Sequence, residues 1–140
     1  MRIRLACAAD ARALCALNRA FNGEGVAGAE EVAESLCKNE KEIVVVAQKD
    51  GQIVGFLCAQ CIHSMCYRDP VGQIAELFVL EAFRRQGAAR AMMDFAHKCL
   101  AVRGVKELFL LTGRGNVAAR AFYEACGYGA ADEQMYEKSV

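Results

Sequence analysis

Residues 74 to 102 constrain the fold more than any other part of the chain. An apolar run from Ile74 to Leu80, broken only by Glu76, reads as a strand. A mostly polar turn, Glu81 to Gln86, and then Gly87 follow. Beyond Gly87 the apolar residues recur at helical spacing. Ala88, Met92, Phe95, Cys99 and Val102 predict one buried stripe, with Arg90, Asp94, His97 and Lys98 mostly on another face. Strand, tight turn and helix thus succeed one another directly. The first N–H groups of a helix have no intrahelical partner, and the macrodipole adds positive potential there. With only Gly87, Ala88 and Ala89 at the mouth, an anion can approach the backbone closely. A phosphate or pyrophosphate suits such a site. An ordinary strand-to-helix turn with a glycine at its start has the same local pattern.

The order Arg84-x-x-Gly87-x-Ala89 after an apolar strand resembles the acetyl-CoA loop, Gln/Arg-x-x-Gly-x-Gly/Ala, of the GNAT superfamily of N-acetyltransferases. Glu76-Leu77-Phe78-Val79 is similar to the central strand of that family.

The rest of the chain narrows the class. At 140 residues it predicts one domain, 1–140, with a single core. A 55% hydrophobic fraction and one proline argue against disorder. Seventeen basic and 17 acidic residues balance, so nothing calls for a nucleic-acid or membrane partner. The N-terminus has no continuous apolar core of a signal peptide, and a cytoplasmic location is the expectation. Eight cysteines lie mostly in apolar stretches, where cysteine behaves as a small hydrophobe. One C-x-x-C, Cys58 to Cys61, is followed by His63 and Cys66. Structural zinc sites usually carry two such pairs, and on a strand Cys58 and Cys61 point to opposite faces. Reduced thiols are expected, with no metal and no disulfide.

Read in order, residues 2 to 6 are a short strand. Asp10 is a candidate N-cap for a helix carrying Leu14, Leu17 and Phe21. The glycine-rich Phe21 to Gly28 ends that helix, and is either a border of a substrate site or a plain loop. A second helix runs over 29–38. Glu42 to Gln48 and Ile53 to Ile62 are strands joined by an Asp50-Gly51 hairpin turn. His63 to Gly72 is a loop. Gly104 stops the helix that began at Gly87, and Glu107 to Thr112 is a further strand. After a Gly113-to-Asn116 turn comes the helix VAARAFYEAC, ended by Gly127, with Ala118, Ala119, Phe122, Tyr123 and Cys126 expected inward. Gln134 to Lys138 is predicted as a terminal strand.

Two side chains stand out chemically. Asn116 can cap its helix or offer its amide to a ligand. Tyr123, two turns in and flanked by small residues, is either a general acid for a leaving thiolate or a core aromatic. Asn116-x-x-Ala119-x-x-Phe122-Tyr123-x-x-x-Gly127-Tyr128 resembles the C-terminal motif of the same family. Glu76, a carboxylate in an apolar strand, shares a face with Phe78 and Leu80, opposite Ala75, Leu77 and Val79. If buried, its pKa would rise towards the range of a general base; otherwise it is a solvated or ion-paired strand residue. Gly113-x-Gly115-x-x-Ala118 also fits a dinucleotide fingerprint, but the 22 residues after Ala118 are too few for the βαβ units that fold needs.

The resemblance implies an α/β (α+β) fold. Its mixed, mostly antiparallel sheet of six to seven strands is flanked by about four helices. The strands at Ile74–Leu80 and Glu107–Thr112 would run parallel and splay apart around acetyl-CoA. It implies cofactor contacts from Leu77, Phe78 and Val79, from Arg84, Arg85, Gln86, Gly87, Ala88, Ala89 and Arg90, and from Asn116, Ala119, Phe122 and Tyr123. Within these, Leu77 and Val79 backbone groups would pair with the pantetheine arm, and the N–H groups from Arg85 to Arg90 would hold the pyrophosphate. It implies Glu76 as base and Tyr123 as acid in direct acetyl transfer to a small-molecule or peptide amine. A CoA-binding module without transferase activity, or an interaction domain with no ligand, are the other readings. The terminal strands could pair across a homodimer.

Overall fold

The computed structural model describes residues 1–140. The chain forms β1 (Arg2–Leu5), α1 (Ala11–Asn22), α2 (Ala29–Lys38), β2 (Glu42–Lys49), β3 (Gln52–Ile62), β4 (Val71–Val79), α3 (Ala88–Val102), β5 (Glu107–Leu110) and α4 (Val117–Ala125). Single 3₁₀ turns lie at Ala8–Asp10 and Glu81–Phe83. The five strands stand in the sheet in chain order, β1 to β5. The first four are antiparallel, and β4 and β5 are parallel. This is the expected mixed sheet with four helices and a parallel pair, with five strands rather than six or seven. The missing strand is the last one. Gln134 to Lys138 has no strand pairing within the chain.

The Asp50-Gly51 turn takes positive φ at both central residues, 50° and 82°, as a type I′ hairpin requires. It sets β2 against β3. These two strands are buried on both faces, which is why they read as near-continuous apolar runs. One face of the sheet, with Val45, Leu57, Ile74 and Val79, packs on α3 through Met92, Met93, Ala96 and Leu100. The other face, with Val46, Ile53 and Phe56, packs on Leu14 and Leu17 of α1. Each fully buried side chain of this kind contributes roughly 1.5–3 kcal/mol of transfer free energy.

The buried stripe of α3 differs from the expected one. Ala88 and Met92 are buried, but Met93, Ala96 and Leu100 complete the stripe. Phe95 and Cys99 lie at its border, and Val102 is 89% exposed. Apolar residues surround most of this helix, so periodicity alone left its rotation open. Asp10 also departs from expectation. It stands at the N-cap of α1 but caps nothing there; its carboxylate accepts from the Cys7 N–H (2.9 Å) and pairs with Arg4.

Between Cys58 and Ala59 the β3–β4 register slips, with Cys58 opposite Glu76 and Ala59 opposite Ile74. Ala75 is therefore an extra residue, a β-bulge. It reverses the face of every later side chain in β4. Ile74 packs on the α3 side, and after the bulge Leu77 and Val79 do so. Phe78 and Leu80 pack on the α1 side. Ala75 consequently does not share a face with Leu77 and Val79. No helix is long and apolar enough to cross a membrane.

Candidate active site

β4 extends to Val79, but β5 pairs with it only from Val71 to Ile74. From Ala75 onward the β5-side edge of β4 is open. Backbone groups alternate between the two edges of a strand. The Leu80 N–H bonds to Val54 of β3 at 2.9 Å, so Phe78 and Glu76 also face β3. Leu77 and Val79 then turn their backbone groups to the open side. The Val79 carbonyl is already occupied there: Arg84 Nε donates to it at 2.9 Å. Phe78 is not turned to this edge: its backbone groups face β3, and its ring stacks on Phe21 at 5.0 Å between centroids.

The open edge leads to the mouth of α3. Arg85 has φ 62° and Gly87 has φ 84°, two left-handed residues that turn the chain sharply into the helix. Nothing lies within 4 Å of where a Gly87 Cβ would be, so the glycine answers to backbone conformation and leaves an open approach. The first backbone bond of the helix is Ala91 N–H to the Gly87 carbonyl, at 3.0 Å. The N–H groups of Arg85, Gln86, Gly87, Ala88, Ala89 and Arg90 donate to no backbone carbonyl. They form one continuous run of free donors at the positive end of a helix. Of the side chains here, Gln86 bonds to Lys49 (3.0 Å), Ala88 is buried and Ala89 half-buried.

Arg90 joins this mouth to α4. Its Nη1 donates to the Ala125 carbonyl at 2.9 Å, and its Nε pairs with Asp94 at 3.3 Å. Asn116 caps α4 as one of its two expected roles, its Oδ1 accepting from the Ala119 N–H at 3.1 Å. Phe122, Tyr123 and Cys126 are half-buried against the α3-side core; Ala119 is half-buried, whereas Ala118 is exposed. The Tyr123 ring meets Phe122 edge-on at 5.4 Å and Tyr128 at 6.1 Å. Burial raises the Tyr123 pKa above its ordinary 10, and the nearby Cys126 and Glu76 raise it further. Tyr123 therefore holds its proton at neutral pH and lies within electrostatic reach of Glu76.

The Glu76 side chain is half-buried and belongs to none of the five ion pairs. It lines an open cavity of ≈ 510 Å³ between α1, α2 and the sheet. Asn22, Val26 and Ala27, from the end of α1 and the glycine-rich connection, help to line it. Glu76 lies on the α1–α2 side of the sheet and Tyr123 on the α3 side, near enough for the Glu76 charge to add to the rise in the Tyr123 pKa.

Sequence reasoning missed Glu31 and Glu42, which line the same cavity as Glu76. Parity supplied a usable signal for Glu42. It shares a face with Val44, and Val44 pairs with Cys58, which pairs with Glu76. Cys58 lies on this side and Cys61 in the opposite core, as their spacing predicts.

The profile of the acetyltransferase (GNAT) family matches residues 12–128. The chain belongs to this family of acetyltransferases. It is 40% identical over 89 residues to an uncharacterized N-acetyltransferase of Archaeoglobus fulgidus, a match covering 63% of this chain and 60% of that protein. The chain thus spans less than two thirds of that relative's length. A ribosomal-protein-alanine N-acetyltransferase from Brucella melitensis biovar Abortus 2308 superposes with TM-score 0.83, at 22% identity and full coverage of both chains. The aminoglycoside N-acetyltransferase AAC(6')-Iy, in complex with CoA, superposes with TM-score 0.82 at 20% identity over 99% of each chain.

Proposed function

We propose that this chain transfers the acetyl group of acetyl-CoA directly to a primary amine. The observation that carries the reading is the junction of two sets of backbone groups. The open β4 edge, with the Leu77 groups and the Val79 N–H, suits an extended pantetheine arm, and it leads to the unbonded N–H run from Arg85 to Arg90, which suits a pyrophosphate. Membership of the family supports acetyl-CoA as the donor.

Glu76 takes a proton from the incoming ammonium, directly or through water. The amine nitrogen attacks the thioester carbonyl carbon, and the Val79 N–H meets the developing oxyanion. The C–N bond forms, the C–S bond breaks, and Tyr123 gives its proton to the departing thiolate. The products are an N-acetyl amine and CoA. No covalent enzyme intermediate is required, so none of the eight cysteines needs to act as a nucleophile. Asn116, Ala119 and Phe122 line the α4 side of the donor.

The test is the melting temperature with and without acetyl-CoA, on the wild type and on Gly87→Glu. A ligand at 100 times its Kd stabilises the folded state by about 2.7 kcal/mol, a rise of several degrees. The wild type should show this rise and the variant should lose it. No rise at millimolar acetyl-CoA overturns the reading.

A further inference from the structure

We propose that the acceptor is a small polycationic amine, seated in the cavity between α1, α2 and the sheet by the carboxylates of Glu31, Glu42 and Glu76. This rests on the acetyl-transfer reading, because it assigns the amine that Glu76 deprotonates.

The cavity is ≈ 510 Å³, within the range of small-molecule sites. Three carboxylates line it, and no lysine, arginine or histidine does. The chain as a whole balances 17 cations against 17 acids, so this excess is local. None of the three belongs to an ion pair. The five ion pairs of the structure involve Asp10, Glu24, Glu34, Asp94 and Asp69. Glu31 accepts only the Gly28 N–H at 3.2 Å, and Glu42 only the Gln60 side-chain amide at 3.0 Å. The Glu76 carboxylate has no cationic side chain paired with it.

The carboxylates are spread around the cavity. Glu76 and Glu42 stand two strands and one two-residue step apart, about 12 Å between Cα atoms from ordinary strand spacing and rise. The Cys58 thiol lies between them, makes no hydrogen bond, and is pushed up to about 12 by burial and then by these two charges. Glu31 faces them from the first turn of α2. One ammonium at Glu76 leaves Glu42 and Glu31 without a cationic side chain beside them. A second and third positive charge, several bonds away, would complete the set. Phe56 offers an apolar surface for the carbon skeleton, and Asn18 and Asn22 offer amides for hydroxyl or amine groups. The same field repels an amine that carries its own carboxylate, such as a free amino acid.

Aliphatic polyamines and amino sugars share this chemistry. CoA release is therefore measured with spermidine, neamine, n-butylamine and glycine. The binding of spermidine and neamine to the protein–CoA complex is measured by calorimetry. Expected is a kcat/KM for at least one polycation about 100-fold above that for n-butylamine, one tenfold for each added charge pair. Glu42→Gln and Glu31→Gln should each raise the polycation KM about tenfold, with the melting-temperature rise on acetyl-CoA retained as proof of folding. Which polycation binds decides between the two sources. Equal efficiency with n-butylamine overturns the proposal, as does failure of both polycations to bind and react. If acetyl-CoA still raises the melting temperature, such a failure leaves the transferase reading standing. If it does not, that reading fails too.

Discussion

The Nε2 of His97 and the hydroxyl of Tyr128 lie 2.8 Å apart, joining α3 to the third residue after α4. Burial lowers the His97 pKa below its ordinary 6.5 and pushes Tyr128 up to about 12. At neutral pH both groups are neutral, and one hydrogen bond links them. Tyr128 in turn bears edge-on against Tyr123, so the contact helps to hold the proposed acid. A depressed histidine binds its proton less readily folded than unfolded. Its contribution to stability is present above about pH 6.5 and is lost as pH falls below it. Urea unfolding at pH 7.5 and pH 5.5 should show wild type losing more stability between the two than His97→Phe does.

Arg84 works inside the turn, with its Nε on the Val79 carbonyl and its guanidinium 5.9 Å from the Phe78 ring centre. Arg84→Ala should cost about 1 kcal/mol, or about 3 °C in Tm. It should also weaken acetyl-CoA binding in calorimetry, because the turn that aims the free N–H run loses its tie. Arg84→Lys should recover little, since lysine lacks the planar fork.

Arg4 holds Asp10 with two hydrogen bonds, 2.7 and 2.8 Å, and Asp10 is 7% exposed. The Arg4 hydrogen bonds bring the Asp10 pKa down from 3.8 to about 2, against burial, with the Cys7 N–H assisting. A lowered carboxylate contributes stability above its unfolded value and loses it as pH falls through the folded one. The contribution is about 2 kcal/mol at neutral pH, lost between about pH 4 and pH 2. Asp10→Asn should lower stability by about that amount at pH 7 and flatten the acid limb of a Tm-against-pH curve.

Gly72 lies where β4 and β5 are still paired. A Cβ there would come 2.5 Å from Leu108 Cδ2, 3.0 Å from Val105 and 3.3 Å from Leu100. Gly72→Ala should cost about 1–3 kcal/mol by overpacking the base of the splay. Tm should fall by several degrees, with a weaker acetyl-CoA shift than wild type.

Tyr123→Phe should lower kcat about 100-fold, the size of a general-acid contribution, while the acetyl-CoA-induced rise in Tm is unchanged. The Tyr123 pKa lies above 10, so the wild-type rate should hold up to that pH and fall only beyond it, as the acid deprotonates. Full turnover by the variant removes Tyr123 from the mechanism.

Local chemistry was legible in the residues. The Asp50-Gly51 turn, the Asn116 cap, the stop at Gly104 and the strand–turn–helix at Gly87 each depend on a few neighbours in the chain. Their order supplied the resemblance to the family, and the family profile over residues 12–128 bears that resemblance out. The bulge at Ala75, the departure of β5 after Leu110 and the unpaired Gln134–Lys138 segment were not legible. Nor was the meeting of Glu31, Glu42 and Glu76 in one cavity. Each depends on which strand lies alongside and in which register, a choice among partners tens of residues apart. Turns and caps act through bonds made within one or two helical turns or a single hairpin. The site is made of edges and cavities, which come into being only when distant segments pack.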